Sequence, residues 1–575
     1  MKRYWKYIRP YIQYYILGPC FMMMEVVGDV LLPYMLAKII NQGIAERNVV
    51  YIIKIGVIMG FIAVIMAVGG VLGAWFASKA AMNFGADLRM DLFEKIQQFS
   101  FQNIDNFSTG SLITRLTNDI TQIQNMIMMT LRMCLRSPGI LIGAMVMAFV
   151  ISPKLAAIFI IVLPVLAVLI VVIMRRAFPQ FRTLQEKLDA LNSCIQEGLV
   201  GIRLIKSFVR GDYEEMRFEK RNQQLKEANL TAMKTMLLYT PLMTLALNIT
   251  TVVGVWGGGN MIVAGNMQVG DLTAFTNYIV QIMSSLTMLS IAFLNWARAI
   301  ASFRRVGEVL DEKIDLTDEN AKHKDRAVCE GSVEFQNVSF RYYKNSPEWV
   351  IENISFKLEA GKTLGIIGST GSGKSTLVSM IPRLYDTDEG TVLVDGINVR
   401  DYGLKPLREG IGMVLQNNTL FSGSIIENLK WGDEHADEKA VRKAAQNAQA
   451  AGFIDSFKDG YRTRLEQSGN NVSGGQKQRL CIARALLKCP KILILDDSTS
   501  AVDTATERAI REALHSEYKD MTKIIIAQRI RSVMDADEIL VLDNGKTAGF
   551  GTHEQLLADC PVYREIYDVQ NGREE

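Results

Sequence analysis

The 575-residue sequence is poor in histidine, with only four, and its seven cysteines are scattered without a CxxC pair. Histidine and paired cysteine are the usual ligands of zinc, so this composition argues against a Cys/His metal centre. Scattered cysteines also argue against a disulfide framework and favour reduced thiols. The net charge is only +3, so overall electrostatics gives no reason to expect nucleic-acid binding.

Hydrophobic residues, by contrast, make up 49% of the chain, and the long apolar runs lie before residue 305. A helix needs about 20 apolar residues to cross a bilayer. Six segments are predicted on this basis to span a membrane, near 13–38, 52–78, 138–153, 155–175, 236–263 and 272–298. The polar stretches between them keep a helical spacing of apolar residues, so the spans are expected to be the middle parts of longer helices.

Lysine and arginine are distributed unevenly around these spans. The connection 175–234 is rich in both, whereas the connections 41–50 and 265–270 contain only Arg47. Because connections rich in Lys and Arg stay on the cytoplasmic side, we predict a multi-pass cell-membrane protein with both termini in the cytoplasm. The basic, aromatic N-terminus has no small-residue cleavage site after its first apolar run. It is therefore interpreted as the interfacial anchor of a retained helix.

The composition changes after the last span. Residues 306–330 are polar and charged and are predicted to form a linker. From Gly331 onward, short β runs alternate with helical patterns, which is typical of an α/β domain. The sequence therefore predicts an all-α transmembrane domain over 1–305, with six helical spans and long cytoplasmic extensions, followed by an α/β nucleotide-binding domain over 331–575.

A glycine-rich loop lies near the start of the α/β domain. It follows the apolar run 363–367 and precedes a helix, so the pattern GxxxxGK[ST] stands in a strand–loop–helix context. Such loops bind phosphate through converging backbone N–H groups. Lys374 is predicted to reach the β and γ phosphates and Ser375 to ligate Mg²⁺; a simple glycine-rich turn is the alternative. The predicted phosphate-binding residues are Gly368, Ser369, Thr370, Gly371, Ser372, Gly373, Lys374, Ser375 and Thr376.

A second motif lies further along the domain, where the apolar run 492–495 is followed by Asp496 and Asp497. This pattern predicts a buried strand with two carboxylates at its C-terminal end. Ligands of α/β sheets bind at that end, so Asp496 is predicted to hold Mg²⁺ through water. The alternative is a charged strand end at a solvent boundary. The two motifs together indicate an α/β P-loop NTPase.

The run Val472-Ser473-Gly474-Gly475-Gln476 stands just before this strand. It matches the signature motif of ATP-binding cassette transporters, with Val in place of the usual Leu, and the chain resembles that family. The resemblance implies that Tyr342 stacks on adenine, and that Gln416 senses the γ phosphate and helps to hold Mg²⁺. It also implies that the nucleotide bound by a partner subunit is contacted by Ser473, Gly474, Gly475 and Gln476.

Other segments follow the same family in order. Residues 500–503 look like its D-loop and residues 551–553 like a common C-terminal stretch. In the membrane half, residues 107–119 look like the first intracellular coupling segment and residues 197–208 like the stretch before the second. A membrane domain followed by a cassette implies an exporter half-transporter that uses ATP and Mg²⁺ and works as a dimer.

Two positions depart from the family pattern, and both concern hydrolysis. The residue after Asp496 is usually Glu, the general base, but here it is Asp497, whose carboxylate is set back by roughly an ångström. The switch histidine is replaced by Gln528, which can donate a hydrogen bond to the γ phosphate but carries no charge. With Gln416, these are the predicted catalytic residues. They imply slow hydrolysis at this chain's own site; neutral drift with hydrolysis intact is the alternative.

The signature, in contrast, is essentially intact. In the family, each nucleotide lies between one subunit's phosphate loop and the other subunit's signature. The resemblance therefore implies a heterodimer, in which this chain completes an active site on a partner that carries Glu and His. On these grounds the chain looks most like one subunit of a bacterial heterodimeric multidrug exporter.

The predicted spans contain polar residues. Glu25 and Asp29 lie four residues apart in the first span, so they share one helix face. Carboxylates in a membrane usually face a cavity or a partner, so a cavity that attracts cationic cargo is one interpretation. A helix-packing hydrogen bond, or a position near the outer boundary of the membrane, is the alternative. The 28 methionines suit a deformable apolar site, although lipid-facing filler explains any single one. A polar stripe suited to a cavity wall lies on the last span, at Asn277, Gln281, Ser284 and Ser285.

The function predicted from these features is ATP-driven export of hydrophobic or amphiphilic compounds. A lipid or lipopeptide flippase needs the same machinery and is the nearest alternative, followed by an ATP-gated channel or regulatory sensor. Peptide export with leader cleavage is not expected, because no peptidase domain precedes the first span, and six spans exclude a soluble cassette ATPase. The expected partners are a second half-transporter, the bilayer and a small amphiphile, with no nucleic acid.

Overall fold

The computed structural model describes residues 2–344, 346–498, 502–570 and 572, without the side chains of residues 2, 290, 291, 293–295, 297 and 298. By its internal contacts the chain divides into two units. The first comprises Met1–Gln97 and Thr109–Asp311, and the second comprises Gln98–Ser108 and Glu312–Glu575.

Helices make up the chain before residue 312, and all except α4 lie in the first unit. In chain order they are α1 (Trp5–Ile8), α2 (Ile12–Lys38), α3 (Val49–Gln97), α4 (Phe101–Asn106), α5 (Thr109–Thr114), α6 (Ile120–Met133), α7 (Arg136–Ile151), α8 (Pro153–Ala156), α9 (Ile158–Val200), α10 (Ile202–Ser207), α11 (Gly211–Leu237), α12 (Tyr239–Val263) and α13 (Val269–Asp311).

Several of these helices extend well beyond the predicted spans. Helices α3, α9 and α13 are 49, 43 and 43 residues long, which confirms that the spans are parts of longer helices. In the described part of the chain, five helical stretches are long and apolar enough to cross a membrane: Trp5–Ile44, Val49–Gln97, Thr109–Ile151, Pro153–Val200 and Gly211–Val263. The sixth predicted span lies within α13, where several side chains are outside the described residues.

The third and fourth spans are joined by a tight turn at Ser152. The Ser152 hydroxyl accepts a hydrogen bond from the backbone N–H of Leu155 at 3.4 Å, and Pro153 occupies the first position of α8. Proline suits that position because its missing N–H would have no partner in the helix. The turn that the sequence predicts between these spans is therefore present.

Small residues bring α2 and α3 close together within the first unit. A Cβ atom added at Gly69 would lie 3.0 Å from the carbonyl oxygen of Phe21, and one at Gly73 would lie 3.1 Å from that of Gly18. Ala77, one turn further along α3, is completely buried. Small residues at every fourth position let the two backbones approach, which is a common basis of helix packing in membranes.

A buried carboxylate ties two helical segments of the first unit together. Asp119 is buried, and its oxygens accept hydrogen bonds from the Ser302 hydroxyl at 2.9 Å and from Arg305 Nε at 2.8 Å, with a further contact to Arg305 Nη2. A buried carboxylate is stable only when its hydrogen bonds are satisfied. Asp119 and Arg305 therefore depend on each other.

We expect Asp119→Ala to lower the stability of the first unit. Loss of charge-assisted hydrogen bonds that leaves Arg305 without its partner costs about 1.5–3 kcal/mol. Thermal unfolding of the detergent-solubilised protein should show this as a lower transition temperature. Arg304→Ala is the matched control, because Arg304 is exposed and pairs only loosely with Glu308 at 3.6 Å. Equal effects of both variants would contradict the assignment.

In its described residues, the second unit contains twelve strands. They are β1 (Val333–Phe340), β2 (Ile351–Leu358), β3 (Thr363–Gly368), β4 (Glu389–Val394), β5 (Ile397–Asn398), β6 (Ile411–Val414), β7 (Gly423–Ser424), β8 (Arg464–Leu465), β9 (Ile492–Asp496), β10 (Thr522–Ile526), β11 (Glu538–Asp543) and β12 (Lys546–Gly551). They form an antiparallel sheet in the order β2-β1-β4-β5, a six-stranded sheet in the order β12-β11-β3-β10-β9-β6, and the small pair β7-β8.

Helices pack around these sheets and complete an α/β architecture. They are α14 (Lys374–Ser379), α15 (Leu404–Glu409), α16 (Ile425–Leu429), α17 (Glu438–Asn447), α18 (Ala451–Ser456), α19 (Gly474–Leu487), α20 (Thr504–Glu517), α21 (His553–Asp559) and α22 (Pro561–Gln570). All five residues of β9 are buried, as expected for a strand covered on both faces. The predicted fold class, a helical membrane domain followed by an α/β domain, is confirmed.

Helix α4 packs against the rest of the second unit through aromatic and polar contacts. The ring centroids of Phe101 and Tyr385 are 5.9 Å apart, and the Tyr385 hydroxyl donates to Asp105 Oδ2 at 2.8 Å. The ring of Tyr385 also meets that of Tyr342 edge to face at 5.3 Å. Tyr385 therefore links α4 to the region of Tyr342.

Candidate nucleotide-binding site

Four neighbouring strands bring the predicted site residues to one edge of the large sheet. In the parallel register, Ile526 of β10 lies opposite Ile366 of β3 on one side and Asp496 of β9 on the other, while β6 pairs in parallel with β9. The carboxyl ends of parallel strands share an edge, so the segments that follow them converge. Those segments carry the glycine-rich loop, the two aspartates, Gln528 and Gln416.

The glycine-rich loop folds in a way that only glycine permits at two positions. Gly373 has a φ of +90°, in the left-handed region, and an added Cβ would lie 2.6 Å from Ile351 Cγ2. At Gly368 an added Cβ would lie 2.1 Å from the carbonyl oxygen of Leu542. The loop thus runs tightly from β3 into α14, the conformation that lets backbone N–H groups converge on an anion.

The side chain of Lys374 lies across this loop. Its Nζ donates to the carbonyl oxygens of Gly368 at 2.8 Å and Ser369 at 2.7 Å. Burial lowers the pKa of Lys374, and the nearby carboxylates of Asp496 and Asp497 oppose that shift. The ammonium is therefore held at the mouth of the loop, where a phosphate would sit.

Oxygen atoms suited to Mg²⁺ meet between the loop and β9. The Ser375 hydroxyl donates to Asp496 Oδ1 at 2.9 Å, and Asp496 is buried. Burial raises the pKa of Asp496, opposed by the hydrogen bond from Ser375. Gln416, which is expected to add an amide oxygen, is exposed two residues beyond the end of β6. A hydroxyl, a carboxylate and an amide fit the oxygen preference of Mg²⁺, which also keeps phosphate and water ligands.

The two residues that depart from the family pattern contact each other. Gln528 Nε2 donates to Asp497 Oδ2 at 2.9 Å. Burial raises the pKa of Asp497, and the hydrogen bond from Gln528 opposes the rise. Asp497 has a φ of +47°, and this left-handed conformation is one that aspartate tolerates better than most residues.

Tyr342, which is predicted to stack on adenine, lies beside the start of α14. Its hydroxyl is 2.9 Å from Thr376 Oγ1 in α14, and 38% of the residue is exposed. The ring is thus fixed beside the phosphate loop while one side stays open. Tyr385, which contacts this ring, was not singled out by the sequence, because no local pattern marks it.

The signature residues lie on a different element. Ser473 caps α19, because its hydroxyl accepts from the Gln476 N–H at 3.3 Å while Gln476 Oε1 accepts from the Ser473 N–H at 2.9 Å. Helix α19 packs against α16 and α17, and Ser473 and Gly474 are exposed. Of the D-loop prediction, residues 500 and 501 lie outside the described residues, while Asp503 caps α20 by accepting from the Thr506 N–H at 2.9 Å.

The carboxylates of the first span have a partner that the sequence did not reveal. Arg136 Nη2 donates to Glu25 Oε1 at 2.9 Å and to Asp29 Oδ2 at 3.2 Å. All three side chains are about a quarter exposed. The packing interpretation therefore has a concrete basis, and the cluster keeps one uncompensated negative charge.

The polar stripe of the last span is divided between packing and exposure. Gln281 Nε2 donates to the carbonyl oxygen of Asp29 at 2.8 Å, and Ser285 is buried. Asn277 and Ser284 are exposed. Half of the stripe thus helps to pack α13 against α2, and only the other half is available to line a cavity.

Membrane-spanning helices joined to a phosphate-loop ATPase define a class of ATP-driven membrane transporters. Residues 15–286 match the family of ABC transporter transmembrane regions, and residues 351–500 match the ABC transporter family. The uncharacterized ABC transporter ATP-binding protein YfiB of Bacillus subtilis is 39% identical over 574 residues, covering 100% of this chain and 99% of the relative. The chain therefore belongs to the ABC transporter family.

Two further comparisons extend this result. A Bacillus subtilis relative named as a proposed multidrug export ATP-binding/permease protein, YgaD, is 33% identical over 584 residues and 99% of both chains. The structure of a bacterial Atm1-family ABC exporter with ATP bound has a TM-score of 0.81 at 24% identity and covers 98% of both chains, which shows a shared fold.

Membership of this family settles several predictions. The chain is an exporter half-transporter that joins a membrane domain to an ATP-binding domain on the cytoplasmic side. It binds ATP, with Mg²⁺ as the usual partner ion, and ATP hydrolysis is coupled to transport.

We expect Lys374→Ala to weaken ATP binding at this chain's own site. A hydrogen bond to a charged group contributes about 1.5–3 kcal/mol, so affinity should fall by roughly 10- to 100-fold. Photolabelling of this chain with azido-ATP measures the change. Lys357→Ala is the control, since Lys357 is exposed and pairs with Glu359 at 2.9 Å. Unchanged labelling of the Lys374 variant would show that the phosphate loop is wrongly assigned.

Proposed function

We propose that this chain is the slow-site subunit of a heterodimeric exporter of hydrophobic or amphiphilic compounds. Residues 1–305 would form its membrane domain, 306–330 a linker and 331–575 its nucleotide-binding domain, with both termini in the cytoplasm. The observation that carries the proposal is the hydrogen bond between Gln528 and Asp497 at 2.9 Å. It joins the two positions of the hydrolytic machinery that depart from the family pattern.

The geometry supports slow hydrolysis for two reasons. First, the shorter side chain of Asp497 sets its carboxylate back from the attacking water by roughly an ångström, and misplacement on that scale can cost ~10²-fold in rate. Second, Asp497 Oδ2 already accepts a hydrogen bond from Gln528, which ties the amide to the base. Gln528 is also uncharged, so it stabilises developing negative charge less than a protonated histidine would.

Binding, unlike hydrolysis, retains its full set of side chains. Lys374 would hold phosphate, Ser375 and Asp496 would hold Mg²⁺, and Tyr342 would stack on adenine. The contacts of these side chains support that assignment. A site of this kind would keep MgATP bound for long periods and would turn over seldom.

The signature supports the heterodimer. Ser473 and Gly474 are exposed at the start of α19, and the capping box of Ser473 and Gln476 holds the turn in shape. This surface suits the γ phosphate of a nucleotide bound to another subunit. A second copy of this chain would pair two slow sites, so we infer that the partner carries glutamate and histidine at the equivalent positions.

The cargo proposal rests on the name of one relative and on the surface of the first unit. The relative YgaD is named for multidrug export, and the first unit presents an apolar, methionine-containing surface. Beside it, Glu25, Asp29 and Arg136 leave one negative charge. A single negative charge in an apolar setting favours amphiphiles with a positive group over anions.

We expect this chain, purified alone, to hydrolyse ATP poorly. Coexpressed with its partner, it should show robust turnover that vanadate inhibits, because the partner's base and this chain's signature then meet in one site. Steady-state phosphate release from both preparations in nanodiscs tests the difference. Fast turnover by this chain alone would rule out the heterodimer proposal.

We expect two substitutions to differ strongly in their effect on the ATPase activity of the assembled complex. Asp497→Asn should leave most ATPase activity in place, because Asp497 is already a poor base and asparagine also tolerates the left-handed backbone. Gly475→Asp should abolish most turnover, because it places bulk and negative charge against the partner's γ phosphate.

Gly452→Asp is the matched control for the signature variant. Gly452 lies in α18, and a Cβ there meets nothing within 4 Å, so the same side chain is added without a steric effect. Single-turnover hydrolysis measures all three variants. If Asp497→Asn removes activity as fully as loss of the partner's base, Asp497 is a working catalytic carboxylate and the asymmetric arrangement is wrong.

A further inference from the structure

Helix α22 holds the segment that carries Gln528. We call residues 527–532, which follow β10, the switch loop. Gln570, in the last turn of α22, donates from Nε2 to the carbonyl oxygen of Gln528 at 2.8 Å. Its Oε1 accepts from the backbone N–H of Ile530, also at 2.8 Å. One side-chain amide thus binds the switch loop on both sides of Arg529.

The backbone of the loop explains why a glutamine fits. Arg529 is extended, with φ −101° and ψ 129°. In extended backbone, the carbonyl of the residue before and the N–H of the residue after point to the same edge. A primary amide offers both an acceptor and a donor, so Gln570 pairs with this edge much as a neighbouring strand would. Glutamate of the same length lacks the donor.

Helix α22 is itself firmly anchored next to the loop. Tyr563 is completely buried in a hydrophobic cluster that also contains Ala527 and Ile530 of the switch loop. The Tyr563 hydroxyl is 2.7 Å from His553 Nδ1, which ties α22 to the start of α21. The loop and the helix therefore share one core, and Gln570 is carried by a fixed support.

We propose that Gln570 is a positioning residue for the ATP site of this chain. By holding the backbone of Gln528, it fixes the point from which the Gln528 side chain reaches Asp497 Oδ2 at 2.9 Å. This proposal rests on the proposed role of Gln528 and Asp497 at the γ phosphate. Gln570 acts through Gln528 and touches neither nucleotide nor metal in this argument.

The expected effect is on rate rather than on binding. Without the amide, the Gln528 carbonyl and the Ile530 N–H lose their partner, and this part of the loop samples other conformations. A displacement of Gln528 by up to 1 Å would lower single-turnover hydrolysis at this site by about 3- to 100-fold. ATP affinity should change less than about twofold, because Lys374 and the phosphate loop follow β3 and not β10.

The experiment uses the full heterodimeric complex with MgATP as the probe. The complex carries Gly475→Asp, which disables the partner's site, so that the remaining single-turnover hydrolysis reports this chain's own site. Gln570→Ala removes both hydrogen bonds. Gln570→Glu keeps the size of the side chain and the acceptor but loses the donor to Gln528, so it tests the contact even if the alanine variant destabilises α22.

Hydrogen–deuterium exchange at Ile530 gives a readout that does not depend on hydrolysis. Exchange should rise on the order of tenfold in Gln570→Ala. The control is Val569→Ala, because Val569 is an exposed neighbour on the same helix. The proposal is supported if exchange rises and hydrolysis falls in both Gln570 variants while azido-ATP labelling and the unfolding temperature stay unchanged.

Three outcomes would overturn it. If the backbone N–H of Ile530 exchanges no faster in Gln570→Ala, the side-chain amide of Gln570 does not hold the switch loop. If exchange rises and Gln528→Ala slows hydrolysis but the Gln570 variants do not, Gln570 does not position Gln528. If Gln528→Ala itself has no effect on hydrolysis, the proposed role of Gln528 fails, and the positioning role of Gln570 fails with it.

Discussion

The parallel pairing of β10 with β3 on one side and with β9 on the other is the interaction on which the nucleotide site depends. It sets Ile526 level with Ile366 and Asp496, so the three segments that follow these strands emerge side by side. A slip of one residue in either pairing would turn alternate side chains to the opposite face of the sheet. Lys374, Asp496 and Gln528 would then no longer converge.

Burial of the charged side chains strengthens their electrostatic effect within the site. An ammonium and two carboxylates are removed from water within one site, so burial lowers the pKa of Lys374 and raises the pKa values of Asp496 and Asp497. Interactions between charges are stronger where water is excluded. A magnesium–nucleotide complex would add both a cation for the carboxylates and anionic oxygens for the ammonium, which matches the distribution of charge in the site.

Local motifs made most of this site predictable from the sequence. The glycine-rich loop, the apolar strand before Asp496 and the capping box of the signature are each contained in a short run of residues. Contacts between distant residues were not predictable in this way. Arg136 meets Glu25 and Asp29 across more than 100 residues, and no periodicity connects them. The same holds for Tyr385 with Asp105 and for Gln570 with the switch loop, while Gln281, expected to line a cavity, instead bonds to the backbone of α2.

The contact between Asp497 and Gln528 also has a genetic consequence. Aspartate and glutamate codons differ only in the third base, and so do glutamine and histidine codons, so each position is a single base change away from the family residue. Because the two side chains share a hydrogen bond, the effect of changing one depends on the other. If Asp497 changed to glutamate first, a longer side chain would meet the amide of Gln528. If Gln528 changed to histidine first, an imidazole would meet the shorter carboxylate of Asp497. The effects of the two changes are therefore expected not to add, so the pathway back to the family residues depends on which codon changes first.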